Sequence, residues 1–287
     1  MPDDAAMLWS LERRDDLYTV IDGLEVRYWD VGEGSPVVLI HGLGGTVETW
    51  LPNVDALARR HRVLALDLPG FGRSGRQRLI YSPGSATGFV AGFLDHLGAG
   101  RASIVGNSMG GLVALQLAVD QPWRVERLVL VGSAGLGREV GRLLRLASVP
   151  WLGRYLLSRL TPEELVVGTV NSVVSNPQSI PRDLIERWID ITSQPGMLDS
   201  ILQATRAGLT ILGQRRRIVL RDRLAELRVP TLLIWGSEDP VIPVAHAYAA
   251  HRLLPGSQIH VFEGCRHCPQ LERPVEFNEL VLRFLSA

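Results

Sequence analysis

The chain has 287 residues, of which 46% are hydrophobic and 21% are charged, a composition typical of a folded globular protein with one large domain. Thirty basic residues, all of them arginine, balance thirty acidic residues, so neither nucleic acid nor an anionic membrane surface is favoured as a partner. No apolar run is long enough to span a membrane, which argues against an integral membrane protein.

The first half of the chain alternates between strand-like and helix-like patterns. Strand-like runs at 18–21 and 24–29 are separated by Asp22-Gly23, a pair that indicates a hairpin. Short apolar runs typical of strands buried on both faces of a parallel sheet follow at 37–40, 63–66, 102–105 and 128–131. Helical periodicity lies between them at 48–60, 86–97 and 111–119.

The alternation stops at residue 136 and resumes at residue 229. Residues 136–228 show helical periodicity interrupted by prolines and no convincing strand, which predicts an inserted helical lid. This segment has 14 arginines against nine acidic residues, a balance that fits a solvated surface or a pocket roof that attracts carboxylates. A strand at 231–235, a helix at 244–254, a strand at 258–262 and a helix at 274–285 then complete a core domain of residues 1–135 and 229–287. The order predicts an α/β fold with a mostly parallel, eight-stranded sheet and helices on both of its faces.

A candidate nucleophile lies between the strand at 102–105 and the helix at 111–119. Gly106-Asn-Ser-Met-Gly110 fits the Gly-x-Ser-x-Gly pattern, in which small neighbours let a strand and a helix approach each other around a strained serine. The turn exposes the Ser108 hydroxyl above the strand ends. It also places the Met109 N–H at a helix N-terminus, where it points to the position at which negative charge would develop on the substrate during the reaction.

A base and an acid follow two later strands. Asp239 comes directly after the strand at 231–235, and His267 comes after the strand at 258–262. Because loops after parallel strands open on one edge of a sheet, Ser108, Asp239 and His267 are expected to converge as a catalytic triad. Glu238 is an adjacent carboxylate that offers an alternative to Asp239.

The loop after the strand at 37–40, His41-Gly-Leu-Gly-Gly45, is expected to supply the second oxyanion donor from the Leu43 N–H. His41 itself is interpreted as a structural hydrogen-bonding residue. The motif that begins at Asp67, Asp-Leu-Pro-Gly-Phe-Gly-Arg-Ser, is interpreted as a turn scaffold in which Asp67 caps local N–H groups.

Together these motifs resemble those of small, lid-bearing α/β-hydrolases, and the resemblance covers essentially the whole chain. It implies an acyl-enzyme on Ser108 and no cofactor or metal. The string at Gly106 to Gly111 is also shared with the meta-cleavage-product hydrolases, which split carbon–carbon bonds in dienoates. That resemblance implies that Asn107 and Arg187 hold the polar end of the substrate, with Arg187 binding its carboxylate. The neighbouring Trp188 is a further candidate substrate-binding residue.

The chain departs from the meta-cleavage-product pattern at its early loop, Gly42-Leu-Gly44-Gly-Thr, and at Cys268, where a tryptophan is usual. Gly42 and Gly44, in this early loop, are candidate substrate-binding residues. An ordinary alternative for Arg187 is a surface ion pair with Asp183 or Glu186 on its own helix.

The preferred function is hydrolysis of carboxylic esters with small to medium acyl groups, and the partner is then a small-molecule ester. Carbon–carbon hydrolysis of a dienoate is the first alternative, and a non-catalytic ligand-binding protein is the second. The oligomeric state is left open.

Cys265 and Cys268 form a lone Cys-x-x-Cys without a second pair, so no metal site is expected. Two cysteines and no visible export signal in the first 16 residues suggest a cytoplasmic protein.

Overall fold

The computed structural model describes residues 8–9, 15–76 and 83–287. Most of the N-terminal stretch interpreted above as lacking an export signal lies outside these residues. The predicted eight-stranded sheet is confirmed. Its strands are β1 Leu17–Ile21, β2 Leu24–Val31, β3 Pro36–Ile40, β4 Arg62–Leu66, β5 Ala102–Asn107, β6 Val125–Val131, β9 Thr231–Gly236 and β10 Gln258–Phe262. Their spatial order is β1-β2-β4-β3-β5-β6-β9-β10.

Strand β2 runs antiparallel to both β1 and β4, and every other neighbouring pair is parallel. In register, Ile40 of β3 pairs with Gly106 of β5, and Asn107 pairs with Val131 of β6. The carboxyl ends of the parallel strands therefore meet at one edge of the sheet, which is where the candidate site residues lie.

Helices cover both faces of the sheet, as predicted. The helices of the core are α1 Leu51–Ala58, α2 Pro83–His96, α3 Met109–Asp120, α9 Ala245–Leu253, α10 Pro269–Glu272 and α11 Pro274–Ser286. Side chains that alternate along a strand pack into two different apolar clusters, one on each face of the sheet. Val38 and Ile40 belong to the cluster that contains α2, α3 and α9. Val37 and Leu39 belong to the cluster that contains α1 and α11. This alternation is the period of two that a strand imposes on its side chains.

The chain between β6 and β9, called here the helical connection, contains the segment 136–228. Its helices are α4 Arg142–Ala147, α5 Pro150–Leu157, α6 Pro162–Val173, α7 Arg182–Thr192 and α8 Met197–Gly208. The expectation of no strand in this segment is wrong, because Leu209–Thr210 (β7) and Gly213–Gln214 (β8) form a small antiparallel hairpin. Each strand has only two residues, too short for an alternating pattern to show in the sequence.

Candidate active site

Ser108 occupies a strained turn between β5 and α3. Its φ of 57° and ψ of −115° lie in a region that residues other than glycine rarely adopt. A Cβ at Gly106 would lie 2.4 Å from the Gly110 carbonyl oxygen, and a Cβ at Gly110 would lie 2.3 Å from the Ile40 oxygen. The two glycines are therefore required for β3, β5 and α3 to approach closely enough to hold the serine in this conformation.

Asp239 and His267 form a buried hydrogen-bonded pair. His267 Nδ1 lies 2.7 Å from Asp239 Oδ2, while Asp239 Oδ1 accepts the N–H groups of Val241 and Ile242 at 2.8 and 2.9 Å. Glu238 is exposed. Asp239, and not Glu238, is therefore the buried carboxylate that is already oriented toward His267.

The second imidazole nitrogen of His267 is buried, and among the described residues it has no hydrogen-bond partner. Asn107, directly before Ser108, donates from Nδ2 to the His267 carbonyl oxygen at 3.4 Å and to the Val131 oxygen at 3.1 Å. These bonds bring the histidine loop to the end of β5, next to the serine. A buried nitrogen without a partner beside a strained serine is suited to accept a proton.

Gly132, the first residue after β6, lies directly against the histidine. A Cβ at this position would be 3.0 Å from His267 Nδ1 and 3.3 Å from Asp239 Oδ2, and the residue has a φ of 51°. A side chain here would push the imidazole away from Asp239. This contact explains why a glycine stands at the end of β6.

The loop His41–Gly45 runs alongside the serine. A Cβ at Gly42 would lie 3.1 Å from Ser108 Cβ, and Leu43 is half-buried. The N–H of Met109 has no acceptor within α3, because α3 begins at this residue. Both predicted oxyanion donors therefore lie on segments that flank Ser108.

The interpretation of His41 as a structural residue agrees with its contacts. Its Nε2 accepts the Leu68 N–H at 2.9 Å, which leaves the proton on Nδ1, and Nδ1 lies 2.7 Å from the Gly42 oxygen. Burial lowers the pKa of His41 to about 4, so the imidazole stays neutral and ties the loop after β3 to the loop after β4.

Asp67 also acts as the turn scaffold that its motif suggested. Its two carboxylate oxygens accept the N–H groups of Val47 and Arg73 at 2.7 and 2.8 Å. Burial raises the pKa of Asp67, an effect that the nearby Arg27 guanidinium partly offsets.

Arg187 does not make the ion pair with Asp183 or Glu186 that its helix position suggested. Its Nε instead donates to Glu48 Oε1 at 2.6 Å, and its Nη2 lies 3.3 Å from Asp16 Oδ2. Glu186 pairs with Arg182. The physical reason is that α7 presents Arg187 to a buried acidic group of the core, which outcompetes an exposed neighbour on the same helix.

That acidic group surrounds Arg27, whose side chain is fully buried. Arg27 donates to Glu48 from both Nη atoms, at 2.5 and 3.1 Å, and also contacts Asp16 and Asp67. Burial by itself would raise the pKa of Glu48, but the hydrogen bonds and charge of Arg27, together with Arg187, lower it to about 2. Residues 16, 27, 48, 67 and 187 are called the Arg27 cluster below.

Trp188, the neighbour of Arg187, is half-buried and packs with the apolar residues of α6 and α7. Gly44, with a φ of 69°, lies under α8, because a Cβ at this position would be 3.6 Å from the Ile201 side chain. The structure thus places Gly42 and Asn107 beside Ser108 and Gly44 beneath α8, whereas Arg187 belongs to the Arg27 cluster.

No sequence motif indicates the contacts that hold the histidine loop to the helical connection. The N–H groups of His267 and Cys268 donate to the Val173 oxygen at the end of α6, at 2.9 and 3.2 Å. Glu272 accepts the N–H groups of both Arg266 and Ser175, at 2.7 and 2.6 Å. An isolated glutamate in α10 carries no motif that would have revealed this role.

Cys265 and Cys268 are both buried free thiols. Burial raises the pKa of Cys265 to about 11, and the pKa of Cys268 is raised further by burial and by Asp239. Neither environment favours the thiolate that metal binding or redox chemistry needs. Across residues 8–9, 15–76 and 83–287, no group of three or more His, Cys, Asp or Glu side chains is arranged to hold a metal ion, and no helix is long and apolar enough to cross a membrane.

Comparison with known proteins gives consistent results. Residues 35–274 match the family model of the alpha/beta hydrolase fold. A dihydrolipoyllysine-residue acetyltransferase component of the acetoin cleaving system of Cupriavidus necator is 36% identical over 267 residues, which cover 93% of this chain and 68% of the relative. A 2-hydroxy-6-oxo-6-phenylhexa-2,4-dienoate hydrolase of Comamonas testosteroni is 32% identical over 273 residues, 91% of each chain.

Among solved structures, a meta-cleavage product hydrolase from Pseudomonas fluorescens IP01, complexed with acetates, superimposes with a TM-score of 0.80. The two chains are 29% identical, and the match covers 94% of this chain and 97% of the other. The similarity extends over both the sheet and the helical connection.

Proposed function

The chain belongs to the α/β-hydrolase family, and we propose that it is a serine hydrolase that cleaves carboxylic esters of small to medium acyl chains. The observation that carries the proposal is the pairing at His267. Its Nδ1 is held 2.7 Å from the Asp239 carboxylate, and its buried Nε2 is left without a partner among the described residues, next to the turn that strains Ser108. This is the arrangement that makes a serine hydroxyl nucleophilic.

The reaction then proceeds in two halves. His267 Nε2 takes the proton of Ser108 Oγ as the oxygen attacks the acyl carbonyl, and Asp239 stabilises the imidazolium that forms. The N–H groups of Met109 and Leu43 hold the oxyanion. His267 passes its proton to the departing alcohol, and a water molecule repeats the sequence to release the acid and restore Ser108.

The helical connection serves as a lid in this proposal. Ile201 of α8 lies over Gly44 of the oxyanion loop, and the end of α6 holds the backbone of His267. We assign Gly42, Gly44 and Trp188 to the walls of the substrate site. Asn107 positions the histidine loop, since its Nδ2 is already bonded to two carbonyl oxygens. A cytoplasmic location is part of the proposal and is supported by the two free cysteines.

Carbon–carbon hydrolysis of a dienoate is the second candidate, because relatives named for this reaction match nearly the whole chain. The position of Arg187 favours the ester. A dienoate carboxylate needs a free guanidinium, but Glu48 and Asp16 occupy two nitrogens of Arg187, and the side chain is only 26% exposed. Binding an anion there would require breaking bonds to a carboxylate that is already buried.

The two candidates are separated by measuring kcat/KM for a series of p-nitrophenyl esters beside one ring-opened dienoate. We expect ester turnover and no dienoate cleavage. Arg187→Ala should then reduce ester kcat/KM only modestly, because its only effect would be a looser attachment of α7 to the core. Arg182→Ala, which removes an exposed arginine from the same helix, serves as the matched control.

If Arg187 instead binds a substrate carboxylate, the parent protein will cleave the dienoate. Arg187→Ala will then weaken that reaction selectively by about 1.5 to 3 kcal/mol, the scale of a charge-assisted hydrogen bond, and spare neutral esters. That result would overturn the ester assignment in favour of carbon–carbon hydrolysis.

A further inference from the structure

Large apolar side chains are exposed together on one part of the helical connection. Leu143 of α4, Trp151 of α5 and Leu212 at the tip of the β7–β8 hairpin are 75%, 73% and 71% exposed. Leu146, Tyr155, Leu156, Leu160 and Ile211 are exposed beside them in the sequence. Scattered apolar residues are ordinary on a protein surface, but a concentration of this kind marks an interaction site.

Two hydrogen bonds hold the elements that carry these side chains next to one another. Arg145 Nε of α4 donates to the Ile211 oxygen at 2.7 Å, which fixes the hairpin tip against α4. Arg206 Nη2 of α8 donates to the Pro150 oxygen at 2.6 Å, which fixes the start of α5 against the end of α8. The exposed apolar residues of α4, α5 and the hairpin are called the apolar patch below.

Arginines outnumber acidic residues around the apolar patch. Residues 140–160 and 200–221, which supply the patch and its surroundings, contain nine arginines and no aspartate or glutamate. One of the nine, Arg154, pairs with Asp199 from the neighbouring turn of α8. The zero net charge of the whole chain therefore hides a locally basic region.

We propose that the apolar patch and its arginines form a docking surface for an anionic lipid bilayer. Leucine, isoleucine and tryptophan side chains enter the boundary between headgroups and acyl chains, while arginines contact lipid phosphates. This inference goes beyond the proposed function and holds whatever bond the enzyme cleaves.

Other occupants fit the surface less well. Nucleic acid would match the arginines, but the patch is mostly aliphatic, and aliphatic side chains have no partner on a phosphate backbone. A second copy of the chain would bury the aliphatic side chains, but a two-fold interface would bring the two arginine groups face to face. A lipid surface satisfies both the apolar side chains and the charge.

The patch is also connected to the catalytic region. Helix α8 carries Arg206 at the patch and Ile201 against Gly44 of the oxyanion loop. A bilayer under α4 and α5 would therefore lie within one helix length of the oxyanion loop. A lipophilic substrate dissolved in the bilayer would have a short path to the site.

The test is co-sedimentation of the full chain with vesicles of phosphatidylcholine alone and of phosphatidylcholine mixed equally with phosphatidylglycerol. We expect binding to the mixed vesicles that weakens with added salt, and little binding to phosphatidylcholine alone. The side chains of Arg142 and Arg216 are exposed and make no hydrogen bond or ion pair with the rest of the described chain. Arg142→Gln with Arg216→Gln should weaken partitioning about 25-fold, because each arginine near an anionic surface contributes about fivefold.

The matched control is Arg60→Gln with Arg101→Gln. These exposed arginines precede β4 and β5, at the amino ends of the strands, and their replacement changes the net charge equally. We expect this control to bind like the parent. Leu143→Ser with Leu212→Ser should weaken binding by on the order of tenfold per leucine while leaving the arginines in place.

Tryptophan quenching by lipids with a nitroxide on the acyl chain reports insertion directly. Quenching should occur in the parent and disappear in Trp151→Leu, which keeps an apolar side chain and hence vesicle binding. Equal binding to both vesicle types, or equal losses in the two double-arginine variants, would overturn the proposal. So would a parent dimer that the leucine variant dissociates, since the patch would then be an interface between two copies.

Discussion

Two buried polar groups of this molecule differ in which of their atoms lacks a hydrogen-bond partner. In the Arg27 cluster, every carboxylate oxygen of Glu48 and Asp67 accepts at least one hydrogen bond. The buried atom without a partner among the described residues is Arg27 Nε, a guanidinium nitrogen that keeps its proton. At the carboxyl edge of the sheet, the Asp239 carboxylate is equally well paired, but Nε2 of its partner His267 has no partner in the described chain.

We infer that this difference separates a structural group from a reactive one, because a guanidinium nitrogen keeps its proton whereas an imidazole nitrogen can take one up. Paired charges that are removed from water hold elements in place, and here they join the stem of the oxyanion loop to α7 through Glu48 and Arg187. A buried nitrogen that is oriented from one side and free on the other is ready to move a proton. Substitutions in the Arg27 cluster should therefore reduce stability, whereas substitutions at the sheet edge should reduce turnover.

The largest effect is expected for Asp239→Asn. An asparagine oxygen can still accept the N–H groups of Val241 and Ile242, so its amide nitrogen would face His267 Nδ1. That contact leaves the proton on Nε2, the wrong tautomer for a base, and should lower kcat by about 10⁴-fold. Glu238→Gln, one residue away and exposed, is the control and should change kcat only slightly. Steady-state kinetics on a p-nitrophenyl ester measures both, and a larger loss for Glu238→Gln would move the acid to that residue.

In the Arg27 cluster, Glu48→Gln should lower the free energy of unfolding by about 3 to 5 kcal/mol, because it removes one partner of buried ion pairs. Glu186→Gln makes the same substitution in an exposed pair with Arg182 and should cost about 0.3 to 0.5 kcal/mol. Urea denaturation followed by circular dichroism compares them. If Glu48→Gln is as mild as its control, the cluster does not hold the fold together.

His41 links the two regions, and its contribution depends on pH. Its pKa is lowered from 6.5 to about 4 in the folded chain, so between these values the unfolded state binds the proton and the folded state does not. Stability should fall as pH drops from 6.5 to 4, with His41 contributing roughly 3 kcal/mol of that loss. His41→Gln should remove this part of the pH dependence, measured as the midpoint of urea unfolding at several pH values between 4 and 6.5. An unchanged slope would mean that His41 titrates normally in the folded chain.

The smallest effect concerns the cysteines beside the histidine. A pKa of about 11 at Cys265 implies roughly 100-fold less thiolate near neutral pH than an exposed cysteine has, and Cys268 should react more slowly still. Alkylation by iodoacetamide, followed by mass spectrometry, should be slow in the folded protein and fast in urea. Rapid labelling of either thiol in the folded chain would show that the histidine loop opens.

The sheet edge was predictable because its geometry is local. The strand, the Gly-x-Ser-x-Gly turn and the helix around Ser108 occupy consecutive residues, and Asp239 and His267 each follow directly after a strand. Parallel strand order then brings the three loops to one edge without any knowledge of side-chain packing.

The Arg27 cluster was not predictable in this way. Its members come from the N-terminal segment, β2, the turn before α1, the loop after β4, and α7, and none of these pairings has a spacing rule. Arg187 is an example. The sequence suggested an exposed ion pair or a substrate contact for it, but in the fold it donates to Glu48. The hairpin at β7–β8 was missed because two-residue strands on either side of the Ile211-Leu212 turn leave no periodic signal.

The central claim is that Ser108 is the nucleophile activated at the sheet edge, and covalent labelling tests it most directly. Treatment with a fluorophosphonate followed by intact-mass and peptide mass spectrometry should show one adduct, on Ser108, that forms quickly in the parent and much more slowly in Asp239→Asn. Glu48→Gln, once folded, should label like the parent, and Ser108→Ala should not label at all. An unlabelled parent protein, or an adduct on another residue, would contradict the account.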